Sequence, residues 1–103
     1  MRYLGVIRGS GVLACGTETI GRVDYDIDGF LTRPGEVVAS GEVRMSPPLL
    51  ESVFGRTDLV LTTDDGRTLS VRFSGKRHDA TASAAHADIS GALPLPNEWR
   101  RSD

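Results

Sequence analysis

Leu59, Leu61 and Thr63 occupy every second position up to Asp64-Asp65-Gly66, and Leu69, Val71 and Phe73 do the same beyond it. Residues spaced by two lie on one face of a β-strand, and an Asp-Gly pair between two such runs supplies the backbone freedom of a tight hairpin turn. The pattern therefore predicts two antiparallel strands, and the same alternation recurs along the chain. Val23, Tyr25 and Ile27 share one face of a second strand over about Thr19 to Phe30, with Arg22, Asp24, Asp26 and Asp28 on the other. Val37, Ala39, Gly41, Val43 and Met45 do so in a third, from Glu36 to Met45.

The first segment, Tyr3 to Ala14, is apolar but interrupted by Gly5, Gly9 and Gly11, which suits a strand that bends or carries a bulge. A last strand is expected around Ala82 to Ala92, with Ala85, Ala87 and Ile89 inward. Turns fall at Gly16-Thr17-Glu18 and at Thr32-Arg33-Pro34-Gly35, where proline presets φ and glycine accepts a positive one. Only Ser46 to Gly55 reads as helix. Ser46 is placed as N-cap, Pro47 at the first helical position and Gly55 as the stop, with Leu49/Val53 and Leu50/Phe54 as apolar pairs.

The expected fold class is all-β: a small antiparallel six-stranded barrel, or a strongly twisted sheet, with one short helix between strands 3 and 4 that plugs one end. At 103 residues this is one domain, placed at residues 1–93. An extended, charged C-terminal tail over 94–103 carries Trp99 beside Arg100 and Arg101. A net charge of −2 gives no global attraction to nucleic acid or to an anionic membrane. The single cysteine, Cys15, rules out an internal disulfide and points to a reducing, cytoplasmic setting, with the thiol as a small buried hydrophobe. Val12-Leu13-Ala14-Cys15 is similar to a lipoprotein box, but Arg8, Gly9, Ser10 and Gly11 interrupt the apolar run a signal peptide needs.

Asp24-Tyr25-Asp26-Ile27-Asp28-Gly29 resembles the opening of an EF-hand calcium loop, which would make Asp24, Asp26 and Asp28 ligands. The twelfth place, where a bidentate glutamate belongs, holds Gly35, and neither flank has helical character. With Phe30 after the glycine, the stretch is also similar to the calcium hairpins of integrin-type propellers, although Thr32 stands where those loops carry aspartate. An extended strand instead sends Val23, Tyr25 and Ile27 to the core and sets Asp24 about 13 Å from Asp28 at ~3.3 Å per residue, too far to share an ion. The strand is the expectation.

Asp88-Ile89-Ser90 resembles part of the D-x-S-x-x-G motif of PilZ domains, six-stranded barrels that bind cyclic di-GMP. Leu93 stands at the place of the final glycine and no R-x-x-x-R precedes it. His86 and Asp88 fall on one strand face with His78 in the preceding loop, a pattern expected of polar residues on the wet face of an edge strand. Gly9-Ser10-Gly11 precedes no helix, so it reads as a bend rather than a phosphate loop. Lys76, Arg77 and His78, with Arg67 and Arg72, form the one basic cluster and read as a solvated hairpin tip.

No catalytic residues, metal ligands or cofactor are assigned. The functional expectation is a non-catalytic interaction or assembly module, a homo-oligomer without nucleic-acid or membrane partners, with Tyr25 and Trp99 near the surface. The alternative is a small-ligand or ion-binding domain, with calcium at Asp24, Asp26 and Asp28 or a PilZ-like nucleotide site.

Overall fold

The computed structural model describes residues 1–73 and 83–99. Six strands close into a barrel: β1 (Arg2–Cys15), β2 (Glu18–Leu31), β3 (Val37–Arg44), β4 (Leu59–Thr63), β5 (Thr68–Phe73) and β6 (Ala84–Gly91), with helix α1 (Pro47–Val53) between β3 and β4. Their order around the barrel is β1-β2-β3-β6-β5-β4, and every pairing is antiparallel. Two three-stranded meanders thus meet along two seams, β1 with β4 and β3 with β6.

The alternation read from the sequence decides what lies inside. Leu13, Ile27, Val43, Leu61, Leu69 and Ala87, one from each strand, are all 0% exposed. Two glycines let the wall curve tightly around them. A Cβ on Gly11 would lie 2.4 Å from the Thr62 carbonyl oxygen, and one on Gly41 would lie 2.2 Å from that of Asp26. Both positions bring one backbone against the next in a way only a missing side chain allows. Of the bends expected in β1, the one at Gly5 appears as a register shift between Tyr3 and Gly5, whereas Gly9-Ser10-Gly11 keeps an unbroken register with β2 and the second shift falls between Leu13 and Ala14.

β3 and β4 stand on opposite sides of the ring, so the segment joining them has to cross the barrel mouth. That makes α1 a plug: Leu50 (2% exposed) and Val53 (0%) point into the core, and the Phe54 ring stacks on Phe73 at 6.1 Å. Ser46 starts the helix with its backbone carbonyl, which accepts from the Leu50 N–H at 3.0 Å, and its side chain makes no cap bond.

The far end is closed by the C-terminal segment, and here the expected extended tail with an available Trp99 is corrected. After β6 the chain turns back through buried Pro94 and a 3₁₀ turn over Pro96–Glu98, and Trp99 is 6% exposed within the core. The indole N–H donates to the Pro94 carbonyl at 3.1 Å. Its ring fills the space over Gly29, where a Cβ would come within 2.6 Å of it. Burial of a large aromatic outweighs the charged residues around it, because one indole removes roughly 200 Å² of surface from water.

Candidate functional site

Residues 23–31 are continuous strand, paired with β1 on one side and β3 on the other. The three aspartates therefore do not curl around a common centre. Each is held by its own partner on β1: the Tyr3 hydroxyl donates to Asp28 at 2.9 Å, Arg8 Nε to Asp26 at 2.9 Å, and the Ser10 hydroxyl to Asp24 at 2.5 Å. Donation to Asp28 also raises the Tyr3 phenol pKa, since it favours the protonated form. Among the described residues no group of three His, Cys, Asp or Glu side chains is placed to hold a metal ion. Calorimetric titration with calcium to several millimolar should give no binding heat and no change in melting temperature; saturable heat abolished by Asp26→Asn would restore the calcium reading.

The ladder continues onto neighbouring strands. Asp26 lies across from Glu42, which lies across from His86, and Asp28 is linked in the same way through Ser40 to Asp88 and Arg72. Asp26, Asp28, Phe30, Ser40, Glu42 and His86 line a shallow groove on the outer wall. β6 is an interior strand of the closed barrel, between β3 and β5, so the edge-strand setting expected for His86 and Asp88 is corrected, while both remain exposed. In the stretch compared with PilZ domains, Asp88 and Ser90 face out and Ile89 is 4% exposed in the core. His78, Lys76, Arg77, Arg100 and Arg101 lie outside the described residues.

From the groove upward the wall carries mixed charge, with Glu42 of its lining bound to Arg44 at 3.1 Å and, beyond it, Arg22 to Asp64 at 2.7 Å. Such exposed pairs are screened by solvent and add little to stability. Below it the surface turns apolar. Tyr3, Phe30 and Val38 stand in one row across β1, β2 and β3; Tyr3 is 41% and Val38 38% exposed, and the Tyr3 and Phe30 rings sit 5.4 Å apart. Sequence reading missed this row because alternation assigns Phe30 and Val38 to the polar face without distinguishing them from their charged neighbours.

Tyr25, which alternation puts on the core face and the assembly reading puts near the surface, is 5% exposed, so the core assignment holds, with its hydroxyl against Gly9 inside the barrel. Burial, followed by the charges of Asp65 and Asp64, pushes its pKa above the ordinary value. A tyrosine raised in the fold contributes stability that is complete below the unfolded value of about 10 and lost as pH rises through the folded one. The urea midpoint should therefore hold steady to about pH 9 and then fall, less steeply in Tyr25→Phe; equal slopes in both proteins would remove Tyr25 as the cause.

Cys15 is 5% exposed and unpaired. The neighbouring Asp58 carboxylate raises the thiol pKa, and its own is lowered in turn, the opposite of what a nucleophilic cysteine needs. No protein-family model matches the chain, and comparison with curated proteins and with solved structures gives no similar chain.

Proposed function

We propose that this chain is a non-catalytic interaction module that works through the outer wall of its barrel and assembles with copies of itself. The observation that carries this reading is the filled interior. One fully buried side chain from each strand, α1 across one mouth and Trp99 at the other end occupy the space where a small barrel would otherwise hold a ligand. The lower outer wall, by contrast, presents an aromatic and aliphatic row to solvent, the kind of surface that contact with a partner removes from water. The unpaired Cys15 is compatible with a cytoplasmic setting.

Sedimentation equilibrium tests the reading directly. The weight-average mass should climb above the 11.1 kDa of the monomer as concentration rises. A dissociation constant in the range of about 10 µM to 1 mM is expected, as for a small interface with few anchors. A constant monomer mass across that range excludes self-assembly.

A further inference from the structure

Beyond Leu93 the C-terminal segment makes its hydrogen bonds within itself. The Leu95 N–H donates to Glu98 Oε1 at 2.7 Å, the Glu98 N–H to the Leu95 carbonyl at 2.8 Å, and the Trp99 indole to the Pro94 carbonyl at 3.1 Å. Pro94 and Pro96 have no N–H to offer a neighbouring strand. Among the described residues the one polar link from 94–99 to another element is Glu98 with Arg67, at 3.6 Å and partly exposed on both sides. At its root the Ala92 N–H donates to the Thr68 carbonyl at 3.2 Å, and the Leu93 N–H to the Gly91 carbonyl at 2.8 Å, which closes a three-residue turn out of β6. What seats the segment is therefore side-chain burial, Pro94 and Trp99 above all, with the indole over Gly29.

We infer that the seat over Gly29 is also an intermolecular docking site, and that its occupant is the Pro94–Trp99 segment of a second copy, exchanged between two barrels. The inference goes beyond the outer-wall reading and does not depend on it. The fit is already on view, because every contact the segment makes with its own barrel is offered by the same seat on another copy. Exchange needs only the turn at Ala92 to open, which gives up the Leu93-to-Gly91 bond, and Gly91, at φ +95°, is a residue free to change its backbone angles. The segment carries its internal bonds with it, so it arrives preformed and loses little further freedom on docking. Its short tether holds it near its own seat at an effective concentration on the order of millimolar. Docking within one chain thus prevails in dilute solution, and exchange competes as the protein approaches that concentration.

Trp99 is the only tryptophan of the chain, so indole emission reports whether the seat is filled. Gly29→Ala blocks the seat and leaves its own indole in water, whereas Trp99→Ala leaves the seat vacant and contributes no tryptophan. Titrating Trp99→Ala into Gly29→Ala should shift the emission saturably toward that of a buried indole, with half the effect at a concentration on the order of 1 mM or below. The double variant Gly29→Ala/Trp99→Ala, with its seat blocked, should give no shift even where outer walls associate. Unchanged emission with Trp99→Ala, or an equal shift with the double variant, overturns the exchange and leaves outer-wall assembly standing. If circular dichroism finds either single variant unfolded, a chain lacking Ala92 decides instead. Its shortened root removes the turn, so it should form a dimer of twice the 11.1 kDa monomer mass with the indole buried, and mass and emission should revert together on dilution. Emission that does not follow concentration in that protein overturns the exchange.

Discussion

Trp99→Ala is expected to destabilise the fold by about 3–5 kcal/mol, a large share of the 5–15 kcal/mol that holds a typical domain together. The indole is buried against Gly29, spends its only donor on the Pro94 carbonyl and seals the end of the barrel away from α1. Truncation leaves a cavity at that end together with a carbonyl that has lost its donor. Gly29→Ala attacks the same contact from the other side, because its Cβ would stand 2.6 Å from the ring and the indole would have to leave its seat. The two substitutions should therefore be strongly non-additive: Gly29→Ala should cost 2 kcal/mol or more by itself and roughly nothing in a Trp99→Ala background. Urea denaturation of the four proteins measures the cycle. Simple additivity would mean that Trp99 and Gly29 do not act on each other as described.

Among the described glycines, Gly41→Ala should be the most damaging added methyl, at about 3 kcal/mol or more. Its Cβ would meet the Asp26 carbonyl oxygen at 2.2 Å and the Ile27 Cα at 2.6 Å. Both are backbone atoms inside a paired strand, so no rotamer change relieves the overlap; β2 and β3 have to separate at Ile27, one of the fully buried core residues. Gly35→Ala serves as the contrast. There the space is open, and only a φ of +91° is unfavourable for a side chain, so the cost should stay near ~1 kcal/mol. Thermal melts that place the two substitutions side by side would show that the crowding at Gly41 is not real.

These cases mark where sequence reasoning succeeded and where it stopped. Alternation identifies β2 to β6 and the inward residues from Val23 to Ile27 and from Leu59 to Phe73, because a period of two is a local property of a chain with one buried face, whereas β1 is read from its glycine-interrupted apolar run and α1 from its proline, its glycine stop and its i,i+4 pairs. It also resolved the aspartate triplet, since the residues between the acids are the ones that need burial. Trp99 was misplaced because its burial depends on a partner seventy positions earlier, and a proline-rich charged segment carries no periodic signal. The trace that existed was a gap: Val23, Tyr25 and Ile27 continue inward to Gly29, which leaves a hole in the core face without naming what fills it. The outer-wall site was only half legible. Asp24, Asp26, Asp28 and His86 were visible as polar positions, but their individual partners on β1, β3 and β6 depend on register, which no single strand encodes.

The path of α1 across the barrel mouth bears on how the molecule is put together in time. Each meander is assembled from neighbours in the chain, whereas the two seams join Gly11 to Thr63 and Ala39 to Ile89, each pair about fifty residues apart. Neither three-stranded half has a second layer to cover its apolar face until both seams shut. Closure is thus a single search over a long chain loop, and the rate at which this barrel becomes protected from exchange and proteolysis is set by that search rather than by the speed of its hairpins.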